Sequence, residues 1–91
     1  MREDRQRLDR WLWFARFAKS RTLAAKLVAS GFVRVNGERV DQAAKAIAVG
    51  DVLTLALART TLVVRVEALG ERRGPASEAQ TLYADLGRDD G

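Results

Sequence analysis

The sequence predicts one α+β domain, in which two N-terminal helices pack on a small, mostly antiparallel β-sheet and a C-terminal helix follows. Three observations lead to this fold class: helical spacing of apolar residues near the N-terminus, an Asn-Gly pair between two short apolar segments, and alternating apolar runs farther along the chain. A chain of 91 residues has room for one domain, and neither an internal repeat nor a long linker divides it.

The first predicted helix runs from Arg7 to Ala18. Its apolar residues recur at intervals of three and four, which places one stripe on a helix: Leu8, Trp11, Leu12, Ala15 and Ala18. Trp13 and Phe17 point away from that stripe, beside Arg10. We expect the C-terminal helix to cover these two rings, and the alternative is an exposed platform on which bases stack.

The second predicted helix begins after Ser20 and ends at Gly31. The Ser20 hydroxyl can accept a hydrogen bond from a free amide of the first helical turn, and glycine tolerates the left-handed conformation that closes many helices. Its buried side is supplied by Leu23, Ala24, Leu27 and Val28. This assignment leaves Arg21, Thr22 and Lys26 on the polar side.

Residues 32–40 predict a tight hairpin with Asn36-Gly37 as its two-residue turn. In that register Val33 faces Val40 on one side of the hairpin, and Arg34 faces Arg39 on the other. Two like charges directly opposite each other destabilise a sheet unless solvent or an anion screens them. A bound phosphate would make the arginine pair favourable.

The second half of the chain predicts two more strands, at residues 52–57 and 61–69, joined by Ala58-Arg59-Thr60. Pro75 can occupy the first turn of a last helix, in which apolar residues again recur at helical spacing: Ala79, Leu82, Tyr83 and Leu86. We therefore expect a flexible N-terminus over 1–6, one domain over 7–69, a loop and helix packed on it over 70–86, and a disordered tail over 87–91.

Basic residues are concentrated in the first half of the chain. Residues 1–45 hold 11 Lys or Arg and 5 acidic residues, a net +6, whereas residues 46–91 hold 5 and 7, a net −2. The predicted helices and hairpin could bring the basic residues to one surface, to which Ser20 and Asn36 would add polar groups: Arg7, Arg10, Lys19, Arg21, Lys26, Arg34, Arg39 and Lys45. Such a surface suits a phosphate backbone, and its width favours structured RNA over a DNA groove.

Composition argues against most enzyme classes. The chain has no cysteine and no histidine, so disulfides, thiol nucleophiles, the common zinc clusters and the commonest general base are absent. Asp9 lies among basic residues, where an ion pair is the ordinary explanation, and Asp51 belongs to a Gly-Asp turn. We expect no catalytic residue, no cofactor and no metal. No apolar run approaches the length of a membrane span, and we expect a cytoplasmic monomer.

Ordered motifs in the first half resemble the RNA-binding domain named after small-subunit ribosomal protein S-four. The matching motifs, over residues 7–55, are Arg7-Leu8-Asp9, Ser20-Arg21, Gly31, Val35-Asn36-Gly37 and Val49-Gly50-Asp51. The resemblance implies the two-helix, small-sheet arrangement called the alpha-L motif. It also implies RNA contacts at these positions: Arg7, Lys19, Ser20, Arg21, Lys26, Arg34, Asn36 and Lys45.

A second block, residues 72–79, resembles a ribosome-associated heat-shock branch of that family. This resemblance implies binding to ribosomal RNA and to large ribosomal subunits that carry a nascent chain, with some nonspecific affinity for DNA. The chain departs from the branch by an extra glycine, Gly74, and by ending soon after the last predicted helix without a basic extension.

Two other functions remain open at this point. Two helices followed by a hairpin also describe a winged-helix DNA-binding protein, in which Arg21, Thr22 and Lys26 would read base edges. Alternatively, Trp13, Phe17 and the last helix could form an exposed apolar patch for a protein partner, as in a chaperone or scaffold.

Overall fold

The computed structural model describes residues 4–88 of the chain. Its helices and strands follow in the order β1 (Gln6–Arg7), α1 (Leu8–Phe14), α2 (Arg21–Ala29), β2 (Val33–Val35), β3 (Glu38–Val40), β4 (Ala46–Ile47), β5 (Val52–Ala56), β6 (Thr61–Val66), α3 (Ala76–Ala79) and β7 (Tyr83–Arg88). This architecture confirms the predicted α+β fold class.

Helix α1 is shorter than predicted, because it ends at Phe14 instead of Ala18. Arg16 adopts φ = 67°, in the left-handed region that interrupts a right-handed helix. Its Nε atom donates a 2.7 Å hydrogen bond to the carbonyl oxygen of Gly74. The chain therefore turns after α1, and this turn brings the next residues back toward the core.

Helix α2 and the following hairpin form as the sequence predicts. The Ser20 Oγ atom accepts a 3.0 Å hydrogen bond from Leu23 N and caps α2, and Gly31 follows the helix with φ = 83°. In the hairpin, Val33 pairs with Val40 and Arg34 with Arg39. Asn36 and Gly37 both have positive φ angles, as the predicted turn requires.

The main sheet has five antiparallel strands in the order β3-β2-β5-β6-β7, and β1 and β4 form a separate two-stranded ladder. The inner face of the main sheet packs against α1 and α2. The core between the sheet and the helices includes fully buried side chains from each: Trp11 and Leu12 of α1, Val28 of α2, and Leu53 and Val64 of the sheet. The Trp11 Nε1 atom donates a 2.9 Å hydrogen bond to the carbonyl oxygen of Ala68.

The C-terminal segment differs most from the prediction. A helix is present, but it ends at Ala79, and a 3-10 turn over Gln80–Leu82 leads into strand β7. The expected helix through Leu86 is wrong because β6 presents a free edge, and pairing with that edge satisfies backbone groups on both strands. Gly87 and Arg88 belong to β7, while residues 89–91 of the predicted tail lie outside the described residues.

Strand β7 contains a bulge at Leu86. Gly87 pairs with Val63 and Asp85 with Val64, so Leu86 has no partner on β6. The Asp85 carboxylate spans the bulge by accepting a 2.8 Å hydrogen bond from Gly87 N. Leu86 is consequently turned outward, with 46% of its surface exposed.

The C-terminal segment also covers Phe17. The rings of Tyr83, Phe17 and Trp11 form one cluster, with Tyr83 at 4.8 Å and Trp11 at 6.1 Å from Phe17 and 6.5 Å between Trp11 and Tyr83. Trp13 packs on Phe14, and the Arg73 guanidinium lies 5.9 Å from the Trp13 ring. Both Trp13 and Phe17 are half-buried against the core, so they do not form an open apolar patch.

Candidate nucleic-acid interface

The centre of the candidate interface is the arginine pair of the hairpin. Arg34 and Arg39 are direct partners on neighbouring strands, and both are exposed, while the flanking Val33 and Val35 face the core. Within residues 4–88 no carboxylate forms an ion pair with either arginine. Two cations on neighbouring strands without an ion-pair partner create a region of positive potential that attracts an anion.

Arg39 also connects the hairpin to the end of α2. Gly31 has so little free space that a Cβ atom built on it would overlap the guanidinium of Arg39. The guanidinium therefore lies directly over the Gly31 backbone, where α2 ends and the chain enters β2. This contact extends the positive surface of the hairpin toward the second helix.

Lys19 and Lys26 lie together at an open groove beside α2. The groove has a volume of about 630 Å³ and an otherwise mainly apolar lining that includes Leu23 and Phe32. Both lysines are exposed. The structure thus brings together two cations that the sequence places seven positions apart.

Arg21 does not share that groove. Residues 21 and 26 are five positions apart, which separates their side chains by about 140° around an α-helix. Arg21 is exposed at the first position of α2. The two basic residues that the sequence assigned to one polar side of α2 therefore lie on different flanks of the helix.

Ser20 and Asn36 both have structural partners. The Ser20 Oγ atom caps α2, as described above. The Asn36 Oδ1 atom accepts a 2.9 Å hydrogen bond from Val52 N, and its Nδ2 atom donates a 3.2 Å hydrogen bond to Asp51 Oδ1. Asp51 Oδ2 also accepts a 2.9 Å hydrogen bond from Ala48 N. Asn36 and Asp51 therefore connect the hairpin to the turn before β5. The contribution of Asn36 to RNA contact stays a prediction.

A third basic group lies where β1 meets β4. Arg7 pairs with Ala46, and the carbonyl oxygen of Lys45 accepts a 2.9 Å hydrogen bond from Leu8 N. Lys45 and the Arg10 side chain on α1 are both exposed.

Arg7 has a carboxylate partner inside the protein. Its Nη2 and Nε atoms donate hydrogen bonds of 3.0 Å and 3.1 Å to the two oxygens of Asp9, which is only 4% exposed. The hydrogen bond to Asp9, and secondarily its negative charge, raise the pKa of Arg7. The ion pair expected for Asp9 is therefore present, and it neutralises part of the positive charge at this end of the interface.

The structure connects some members of the predicted basic set more closely than others. The hairpin pair and the groove lysines are neighbours through the Gly31-Phe32 segment, because Arg39 covers Gly31 and Phe32 lines the groove. Arg7, Arg10 and Lys45 form a separate group near β1 and β4. The groove itself was missed by sequence reasoning, although the inward Val33 and Val35 already indicated that Phe32 faces outward.

The described part of the chain, residues 4–88, has neither a metal-binding cluster nor a helix that could cross a membrane. No group of three His, Cys, Asp or Glu side chains has the arrangement of a metal site. No helix among these residues has the length and apolar character needed to cross a membrane.

Comparison with known proteins identifies a family for this arrangement. Residues 6–53 match the S4 domain, and this range includes α1, α2, the hairpin and every predicted interface residue. The chain is 43% identical over 79 residues to heat shock protein 15 of Escherichia coli strain K12, covering 87% of this chain and 59% of that protein. It is 38% identical over 72 residues to small ribosomal subunit protein uS4 of Xanthobacter autotrophicus, covering 77% of this chain and 35% of that protein.

A solved structure supports the same relationship. Heat shock protein 15 of Vibrio cholerae, which is described as trimeric, has a TM-score of 0.85 and 37% sequence identity to this chain. The match covers 91% of this chain and 83% of the Vibrio chain. The chain spans about three-fifths of the length of the Escherichia coli relative.

Proposed function

This chain belongs to the S4 domain family and is a relative of heat shock protein 15, and from that membership we propose that it is a non-enzymatic protein that docks a basic surface on structured RNA. The observation that carries the proposal is the exposed Arg34 and Arg39 pair, which has no carboxylate partner within residues 4–88. The Arg34 guanidinium lies 3.5 Å from the carbonyl oxygen of Gly37 and the Arg39 guanidinium lies over Gly31, so the pair would hold neighbouring phosphates of one strand through charge-assisted hydrogen bonds.

The proposed RNA is ribosomal, and the proposed particle is the large ribosomal subunit carrying a nascent chain. Support comes from the similarity to a small-subunit ribosomal protein and to heat shock protein 15. The resemblance of residues 72–79 to the ribosome-associated branch points the same way. A factor of this kind would act in the cytoplasm under heat stress, and nonspecific DNA binding would be a by-product of its positive charge.

The winged-helix alternative is less well supported than RNA binding, because the family match is to the S4 domain. It requires Arg21, Thr22 and Lys26 to read bases from one recognition helix in a major groove. Arg21 and Lys26 lie about 140° apart around α2, since each residue turns the helix by about 100°. Both side chains could reach base edges only on opposite walls of the groove, and the S4 domain match favours RNA over this alternative.

Binding across a salt series tests the proposal. A stem-loop fragment of large-subunit ribosomal RNA and a DNA duplex of matching sequence are titrated with the protein at several salt concentrations. We expect the RNA to bind more tightly at every salt concentration, and replacement of both Arg34 and Arg39 by alanine to reduce the salt slope by about two units. Equal affinity for RNA and DNA, or an unchanged slope in the double variant, would contradict the proposal.

A matched control for this experiment is the replacement of Arg65 and Arg72 by alanine. Both are exposed arginines whose charges are already paired, with Glu67 at 2.7 Å and Glu78 at 2.8 Å. The control removes the same number of positive charges as the interface variant, so it separates local contact from net charge.

The mass of the protein in solution, measured in parallel, decides between the expected monomer and a trimer like that of the Vibrio relative.

A further inference from the structure

The groove beside α2 has properties that docking to an RNA backbone does not explain. It lies between α2 and the turn that joins β5 to β6, and its apolar lining includes Leu23, Leu27 and Leu57. Lys19 and Lys26 line it as well, and no acidic residue of the described range 4–88 does. A surface that is both apolar and positively charged suits a ligand with a flat apolar part and a negative charge.

Phe32 is the exposed aromatic side chain of this groove, which the half-buried Phe17 also lines. It is 51% exposed, and it lies one residue before β2, on the opposite side of the chain from the buried Val33. Its backbone is fixed by a 2.8 Å hydrogen bond from Ala56 N to its carbonyl oxygen and by a 3.2 Å hydrogen bond from its own amide to Leu27 O. The ring is therefore held at the groove by a rigid backbone while much of its surface stays open.

We propose that this groove binds an unpaired nucleotide of the RNA, with the base stacked on Phe32 and the adjoining phosphate held by Lys19 and Lys26. The inference rests on the proposed RNA-binding function and adds a ligand class to it. Every base has an apolar face that can stack on an aromatic ring, and such stacking is largely independent of sequence. Lysine ammonium groups are mobile point charges that can follow a phosphate in several positions.

The position of the groove supports a nucleotide over an apolar peptide. Arg39 covers Gly31, and Gly31 directly precedes Phe32, so the groove continues the positive surface of the hairpin. An RNA strand whose paired region lies on Arg34 and Arg39 would reach Phe32 as soon as pairing ends. Positive side chains lie at both ends of this route, on the hairpin and at the groove lysines. One continuous polyanion is therefore the favoured occupant.

Two RNA probes test the inference. One is a blunt RNA hairpin, and the other is the same hairpin extended by a short single strand of uridines. We expect the unmodified protein to bind the extended hairpin more tightly than the blunt one. Phe32→Ala should remove most of this difference, weakening binding of the extended probe about tenfold, as expected for the loss of one stacked base, while leaving the blunt probe unaffected.

The matched control is Val49→Ala, which also truncates an exposed apolar side chain but lies outside the groove. It should alter neither affinity. A second variant, Phe32→Trp, keeps an aromatic ring and adds a third tryptophan to Trp11 and Trp13, and the emission it adds over the unmodified protein should be quenched by the extended hairpin and not by the blunt one. Both readouts use the full chain, and thermal unfolding of each variant confirms that the fold is retained.

The outcomes distinguish the two proposals. If neither probe binds the unmodified protein, the proposed RNA-binding function fails. If both probes bind equally and Phe32→Ala changes neither, RNA binding stands and the nucleotide site is overturned. Quenching of the Phe32→Trp variant by an acidic, apolar peptide but not by the extended hairpin would overturn the nucleotide site in favour of a protein partner.

Discussion

The guanidinium of Arg39 lies over the backbone of Gly31, at the point where α2 gives way to β2. This contact joins the hairpin to the second helix, and it depends on the missing side chain at position 31. Gly31 is consequently needed for two reasons: its φ angle of 83° is in the left-handed region, and its surface is covered by Arg39, an arginine of the proposed interface.

Gly31→Ala should therefore affect both stability and RNA binding. The left-handed backbone costs about 1–2 kcal/mol for a residue with a Cβ atom. The Arg39 side chain can move aside at little further cost because its end is flexible, but its guanidinium would then leave its position. We expect reduced stability in urea unfolding together with weaker RNA binding.

Gly37→Ala is the control for this prediction. Gly37 has a φ angle of 87°, but a Cβ atom there would meet no neighbour within 4 Å. A similar loss of stability with RNA affinity unchanged is expected. If the two variants bind RNA equally well, the Arg39 position has no part in binding.

Asn36 can be tested as a structural residue and as an RNA contact in one series. Asn36→Gly keeps the positive φ angle and removes the hydrogen bonds to Val52 N and Asp51. We expect a loss of about 2 kcal/mol in the free energy of unfolding, since an intramolecular hydrogen bond typically contributes about 1 kcal/mol and two are removed. Asn36→Ala should cost more because it also strains the turn. RNA affinity that falls in both variants at temperatures where the fold is intact would support direct contact.

Asp9→Asn should increase the affinity for RNA. The substitution removes the charge that pairs with Arg7 but keeps the shape of a side chain that is 4% exposed. Arg7 would then present a full positive charge, and the salt slope should rise by up to about one unit. Arg72 offers a comparison, since its partner Glu78 can be replaced by glutamine in the same way. A slope that stays constant in Asp9→Asn would place Arg7 outside the interface.

The two tryptophans of α1 should differ in their contribution to stability. Trp11 is fully buried and donates a hydrogen bond to Ala68 O, whereas Trp13 is half-buried under Arg73. We expect Trp11→Ala to cost about 3–5 kcal/mol, the usual cost of truncating a buried aromatic residue, and Trp13→Ala distinctly less. Denaturant unfolding measures both, and equal losses would show that Trp13 is a core residue after all.

Local signals in the sequence were sufficient to predict α2 and the hairpin. Ser20, Gly31 and Asn36-Gly37 act on their immediate neighbours, and the hairpin register then follows from the two-residue turn. The opposed arginines at positions 34 and 39 were predictable for the same reason. These are the parts of the candidate site that require no knowledge of distant contacts.

Distant contacts determined the parts that were missed. Leu82, Tyr83 and Leu86 have helical spacing, yet the free edge of β6 draws residues 83–88 into a strand. The early end of α1 depends on Arg16 reaching Gly74, which is 58 positions away. The groove at Phe32 forms only when the turn between β5 and β6 lies beside α2, and no local pattern specifies that arrangement.

The bulge at Leu86 affects how copies of this protein meet one another. Strand β7 is the last strand of the sheet, and an outer strand with a regular row of free amides and carbonyls can recruit another chain into a growing fibril. A bulge breaks the regular spacing of that row, so an incoming strand cannot form a continuous ladder. The same irregularity that leaves Leu86 exposed thus protects this edge of the sheet against self-templated aggregation.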